Sequence, residues 1–235
     1  AVKRTRERKL QDFQKKLSTL TFLDPACGSG NFLTETYLSL RRLENEILQE
    51  LQGGQMVLGY DNMNPIQVSI SQFYGIEIND FAVTVAKTAL WIAESQMMKE
   101  TESIVLMHLD FLPLKTNAFI HEGNALQVDW ESVIPKYQLS YIMGNPPFVA
   151  RAGRTKAKDS SSKGMLDDTQ KTDRLNVFGE DLGNVDYVAC WFKKAAVFTK
   201  NTAIRCAFVA TDSICQGQQI YPIWKNILQD DIYIN

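Results

Sequence analysis

No run of about 18 consecutive apolar residues occurs in this 235-residue chain, so nothing in it reads as a bilayer-spanning helix. Residues 1–8 are basic with no apolar stretch behind them, which is not the pattern of a secretory signal. Cysteine is scarce: Cys27, Cys190, Cys206 and Cys215 form no CxxC pair, and His108 and His121 complete no zinc set at their spacings. A disulfide framework and a metal centre are therefore not readable, and the expected setting is a reducing cytosol. Excess charge is lacking as well. Twenty-five Lys and Arg against 27 Asp and Glu give a net charge of −2, too little to hold nucleic acid by bulk charge alone.

What is present is a composition of 45% hydrophobic and 22% charged residues, that of an ordinary globular domain with a real core. It excludes disorder, collagen and coiled coil. The charge is also unevenly placed. Residues 1–16 carry a local +5, a basic segment expected to form an N-terminal helix over 1–17 ahead of one domain over 18–235. Residues 151–174 carry Arg151, Arg154, Lys156, Lys158, Lys163, Lys171 and Arg174 against four Asp, a local +3 that leaves −10 for the rest.

Short β-rich runs alternate with longer amphipathic stretches, the order expected of a mostly parallel sheet with helices on both faces. Strands are expected at residues 20–24, 73–78, 118–120, 139–143, 204–210 and 232–234. Helices are expected at 32–51, 65–72, 81–98 and 185–198, where apolar residues recur every three or four positions. Residues 151–181 have loop composition and exceed a routine connection, so they are expected to face a substrate and to order on binding it.

Asp24-Pro25-Ala26-Cys27-Gly28-Ser29-Gly30-Asn31-Phe32 lies between the first strand and a helix, where a glycine turn lets a ligand touch the backbone. Leu33 stands where a dinucleotide site would want a third glycine, and no P-loop lysine follows. An acid at the strand end beside helix-opening amides suits a ligand that carries both a cationic amine and a carboxylate. Glu77 ends the second strand, placed to accept from ribose hydroxyls, with Ile78 able to lie against an adenine. Asn124, followed by Ala125, sits at a loop where an amide could bond an adenine edge.

Asn145-Pro146-Pro147-Phe148 closes the fourth strand. A conjugated NH₂ group is a poor nucleophile because its lone pair is delocalised. The Asn145 side-chain oxygen and the Pro146 carbonyl, aimed at its two hydrogens, would localise that pair. The two prolines would preorganise these acceptors, and Phe148 could stack on a planar base held out of its helix. Cys27, with no base beside it in sequence, reads as a packing residue and not a nucleophile.

DPACGSGNF, YGIEIND, GNAL and NPPF, in this order, resemble the cofactor and catalytic motifs of class I S-adenosylmethionine-dependent DNA amino-methyltransferases of the adenine-N6 type. LTFLDPACGSGNFL, QFYGIEINDFAV, MGNPPFV, VDYVACWFKKAA and FVATDSICQGQQ are similar, more narrowly, to the methyltransferase domain of single-chain bifunctional restriction-modification enzymes, over residues 18–225. The resemblance implies a doubly wound, Rossmann-like α/β sheet of order 3-2-1-4-5-7-6, with the closing strand pair expected beyond Asn235. It implies S-adenosylmethionine as methyl donor, S-adenosylhomocysteine as product and no metal.

By position, Asp24, Pro25, Ala26, Cys27, Gly28, Gly30, Asn31 and Phe32 would line the methionine part, Glu77 and Ile78 the ribose and adenine, and Asn124 and Ala125 the adenine edge. Asn145, Pro146, Pro147 and Phe148 would hold the flipped adenine of a double-stranded DNA, and Arg151, Arg154, Lys156 and Lys158 would meet its phosphates. Target recognition, and any nuclease, would belong to further domains of the same chain in a bacterial or archaeal cytosol. The family's cofactor motif ahead of the first strand is not recognisable here, and no PD-(D/E)xK signature occurs. N4-cytosine, RNA or protein-amide methylation, or a non-catalytic cofactor-dependent DNA-binding module, are the alternative readings. Asn in place of Ser before Pro146 leans toward adenine.

Overall fold

The computed structural model describes residues 2–52, 65–106, 109, 117–149, 166–179, 185–228 and 232–234. It divides into two compact units, Ala1–Glu122 and Gly123–Asn235.

The first unit contains α1 (Val2–Thr19), β1 (Phe22–Asp24), α2 (Asn31–Gln52), a 3-10 turn (Ile70–Gln72), β2 (Phe73–Glu77), α3 (Asp80–Val105) and β3 (Phe119–Glu122). Its strands are parallel in the order β3-β2-β1, with Asp24 opposite Gly75 and Glu77 opposite Glu122. Leu23, Phe73 and Ile76 of the sheet are fully buried, as are Leu33, Tyr37, Ala86 and Leu90 of the helices. The Phe73 ring stacks on Phe22 and takes Tyr37 edge-on, contacts that add to simple area burial. α3 starts where the Asn79 side chain accepts from the Ala82 amide, and stops at Leu106, which adopts the left-handed conformation.

Helix was expected over residues 65–72, but only Ile70–Gln72 is helical, as a 3-10 turn. The preceding backbone takes its partners elsewhere. The amides of Gln67 and Val68 donate to the buried Glu44 carboxylate, at 2.7 and 3.2 Å, instead of to carbonyls of a helical turn. Glu44 also accepts from Gln14 of α1 and pairs with Arg41, which in turn donates to Thr101 of α3. Buried charges persist only when so paired. The cluster ties α1, α2, α3 and residues 65–68 together.

The second unit contains α4 (Trp130–Val133, one turn), β4 (Tyr141–Gly144), α5 (Asp168–Phe178), α6 (Ala189–Thr199), β5 (Arg205–Phe208) and α7 (Ile220–Leu228). β4 and β5 are parallel, with Gly144 opposite Phe208. Val185, Val188, Ala189, Ala196, Ile214, Ile223 and Ile227 form a core. The strand expected at residues 232–234 does not form: Ile232 packs against this core while Tyr233 and Ile234 face outward.

Residues 151–181, expected as loop throughout, are helical in part. Residues 168–178 are the helix α5, opened by a capping box in which Asp167 accepts from the Gln170 amide at 2.7 Å and Gln170 accepts in return from the Asp167 amide, and closed by Gly179. Residues 150–165 and 180–184 lie outside the described residues, and with them Arg151, Arg154, Lys156 and Lys158. Among the described residues no helix is long and apolar enough to cross a membrane.

Candidate cofactor and target-base sites

In the first unit the glycine loop is fastened to β2 at two points. The Cys27 amide donates to the Ile76 carbonyl at 3.1 Å, and the Gly28 amide donates to Glu77 Oε2 at 2.8 Å. Glu77 Oε1 accepts from the Asn79 amide at 3.0 Å, so both carboxylate oxygens are oriented and each keeps a lone pair for a further donor. Gly28 and Gly30 have φ of +54° and +82°, which any other residue adopts only with strain. A Cβ on Gly30 would also press on Ala86 of α3 at 3.0 Å. The loop thus lies close upon α3 before α2 begins.

Asp24, at the end of β1, is 1% exposed and accepts from the Ala26 amide at 3.0 Å. Burial raises its pKa from 3.8 to about 7; the Ala26 hydrogen bond opposes the rise and the Glu77 charge adds to it. Pro25 is buried, while Asn31 and Phe32 at the start of α2 and Ile78 just past β2 are exposed. Cys27 is buried, and burial pushes its thiol far above the ordinary range, with the Asp24 and Glu77 charges adding to the rise. Its sulfur fills the space left by the absent side chain of Gly75, where a Cβ would lie 2.8 Å from Sγ. This is the environment of a packing residue, since nucleophilic thiols need their thiolate stabilised.

In the second unit Asn124 opens a tight turn: its Oδ1 accepts from the Leu126 amide at 2.9 Å, and its carbonyl accepts from the amides of Gln127 and Val128. Its Nδ2 donates to Asp173 Oδ2 of α5 at 2.8 Å. Ala125 is buried, and its carbonyl accepts from the Trp130 indole at 2.9 Å. Lys194 of α6 donates to the Leu126 and Val128 carbonyls at 3.0 and 2.6 Å.

β4 delivers Asn145 as an exposed residue directly past its last ladder bond, in which the Gly144 carbonyl accepts from the Val209 amide at 2.9 Å. Pro146 is buried and Pro147 exposed, while the Phe148 ring remains 43% exposed at the end of the motif. Asp173, Gln127, Tyr187 and Lys194, which fix the Asn124 turn, were not among the residues expected from sequence. Tyr187 and Lys194 lie inside the VDYVACWFKKAA stretch, the one local signal for them. Among the described residues no group of three or more His, Cys, Asp or Glu is arranged to hold a metal ion.

Known proteins resemble this chain over most of its length. A family model described as the DNA-methyltransferase domain of MmeI matches residues 1–235. DNA methyltransferase A of Bacillus subtilis (strain 168) is 38% identical over 232 residues, which is 97% of this chain and 25% of the relative. The adenine-specific methyltransferase PglX of Streptomyces coelicolor is 32% identical over 74 residues, 32% of this chain and 5% of the relative. The structure of the type IIL restriction-modification enzyme MmeI in complex with DNA superimposes with a TM-score of 0.83 at 43% identity, covering 95% of this chain and 28% of that one. The chain therefore spans about a quarter of the length of its extended relatives. Its parallel α/β architecture is that of the matched part of MmeI, and the chain belongs to the MmeI DNA-methyltransferase domain family.

Proposed function

We propose that this chain is the modification domain of a restriction-modification enzyme and transfers the methyl group of S-adenosylmethionine to the N6 amine of adenine in duplex DNA. The observation that carries the reading is the bond between the Gly28 amide and Glu77, which fixes an acceptor-only side chain beside a glycine turn that a ligand can approach. The donor set fits such a ligand. Burial disfavours the anionic form of Asp24, so a cationic amine beside it restores ionisation. The N-terminus of the 22-residue α2 favours a carboxylate.

Pro25, Ala26, Cys27, Gly30, Asn31 and Phe32 then surround the methionine portion, Glu77 accepts from the ribose hydroxyls, Ile78 lies on the adenine, and Asn124 with Ala125 meets its edge. S-adenosylmethionine, when bound, supplies an electrophilic methyl group on a sulfonium and departs as a neutral thioether.

The chain's own part in the chemistry is to make the amine a nucleophile. The Asn145 side-chain oxygen and the Pro146 carbonyl accept hydrogen bonds from its two N–H groups, which localises the lone pair and stabilises positive charge as the nitrogen–carbon bond forms. The cationic nitrogen then sheds a proton to solvent water. Pro147 stiffens the turn, and the exposed Phe148 ring stacks on the base once it is flipped out. Arg151, Arg154, Lys156 and Lys158 follow Phe148 closely in sequence and are assigned to the phosphates. Target recognition falls to the remaining length of a longer protein acting in the cytosol. Methyl transfer from labelled S-adenosylmethionine, offered duplex DNA, RNA and protein side by side, tests the proposal. Transfer to DNA is expected, and transfer to RNA or protein in its place would overturn it.

A further inference from the structure

Asp173 is a charged residue on a strongly polar helix, yet it is 1% exposed. It spends its oxygens on three donors: Oδ2 accepts from Asn124 Nδ2 at 2.8 Å and from the Tyr187 hydroxyl at 2.9 Å, and Oδ1 accepts from Gln127 Nε2 at 2.9 Å. Two of those donors belong to the turn that Asn124 opens. A primary amide can point either way, and its two ends have opposite hydrogen-bonding character. At Asn124 the choice is forced. The acceptor-only carboxylate of Asp173 takes the NH₂ end, and the donor-only amide of Leu126 takes the oxygen. One N–H and one oxygen lone pair of Asn124 are left over, the complement of a 6-aminopurine edge, which offers a ring-nitrogen acceptor beside an amino donor.

We infer that Asp173 is a positioning residue for the methyl donor: by holding the Asn124 amide in one orientation it makes the site select a 6-aminopurine over a 6-oxopurine. This rests on the assignment of Asn124 to the donor's adenine made above. A 6-oxopurine reverses the pattern, offering an acceptor oxygen beside a ring N–H. Asn124 could match it only by turning over, and turning over would set its oxygen against the Asp173 carboxylate. The discrimination is thus stored in α5, the helix that follows the catalytic loop in sequence.

The test is calorimetric binding of two ligands, S-adenosylhomocysteine and S-inosylhomocysteine, to the full-length protein. The wild type should prefer the adenosine form by roughly tenfold or more, the value of one well-made hydrogen bond with its unpaired alternative. Asn124→Ala and Asp173→Ala should both abolish the preference. Gln127→Ala and Tyr187→Phe, which remove the other donors to Asp173 and spare the bond to Asn124, should keep it. Asp173→Ser, polar but too short to reach Asn124, replaces Asp173→Ala if that variant does not fold, with the same loss expected. If the Asp173 variant keeps the preference that Asn124→Ala loses, or if Gln127→Ala loses it equally, the inference fails and the proposed function stands. If the wild type shows no preference, or Asn124→Ala keeps it, the assignment of Asn124 fails and takes this inference with it.

Discussion

Glu77 accepts a hydrogen bond from the Gly28 amide at 2.8 Å across 49 residues of sequence, so the acid that ends the second strand and the glycine loop after the first are one mechanical piece. A change in either moves both. Glu77→Gln puts an NH₂ group against the amide of Gly28 or that of Asn79, where the carboxylate satisfies both. The variant should lose roughly 10- to 100-fold in affinity for S-adenosylhomocysteine by calorimetry, the scale of a charge-assisted hydrogen bond. Unchanged affinity would remove Glu77 from the ribose.

Asp24 links folding stability to pH. Its pKa is 3.8 when unfolded and about 7 when folded, so between those values the native state holds more proton than the unfolded one. Its stabilising contribution is therefore complete below pH 4 and is lost as pH rises through 7. Asp24→Asn keeps an acceptor for the Ala26 amide and never ionises. Its melting temperature should exceed the wild type's at pH 8, by a margin equivalent to about 2–4 kcal/mol, and match it near pH 4. The same variant should bind S-adenosylhomocysteine poorly at every pH, because the cationic amine loses its counter-charge. A melting temperature difference that does not grow with pH would refute the linkage.

The fit between Cys27 and Gly75 makes two substitutions diagnostic. Gly75→Ala puts a methyl group 2.8 Å from the Cys27 sulfur, and overpacking of this kind costs roughly 1–3 kcal/mol. Denaturant unfolding should show that loss, together with weaker donor binding. Cys27→Ser should retain methyl transfer; its complete loss with donor affinity intact would mean that the thiol takes part in the reaction.

Glu44 holds residues 65–68 and α1 by hydrogen bonds in a fully buried setting. Glu44→Ala strands the Arg41 guanidinium without its partner and should cost about 3–5 kcal/mol in thermal or denaturant unfolding. A loss well under 1 kcal/mol would show that the cluster relaxes or admits water.

The strand ends that carry Asp24, Glu77 and Asn145 were legible because each closes a short apolar run, where alternation and composition speak locally. The helix expected over 65–72 forms only at its last turn, because its apolar spacing is helical while its amide partners lie on Glu44, 23 residues away in the case of Gln67. α5 had its own signal, Asp167 and Gln170 at capping-box spacing with Gly179 behind, hidden under a composition that reads as loop. The buried Asp173 counted in sequence as one more acid in a basic segment. Its tertiary pairings with Asn124, Gln127 and Tyr187, the first 49 residues away, are what set it apart.

The proposed function has Asn145 activate an exocyclic amine for direct methyl transfer to adenine. Its most direct test is tritium transfer from labelled S-adenosylmethionine to duplex DNA by the full-length protein, with the modified base identified after hydrolysis, in the wild type and in Asn145→Ala. The expected result is N6-methyladenine from the wild type and none from Asn145→Ala, with S-adenosylhomocysteine bound equally by both. Normal turnover by Asn145→Ala, or label found on cytosine, would contradict it.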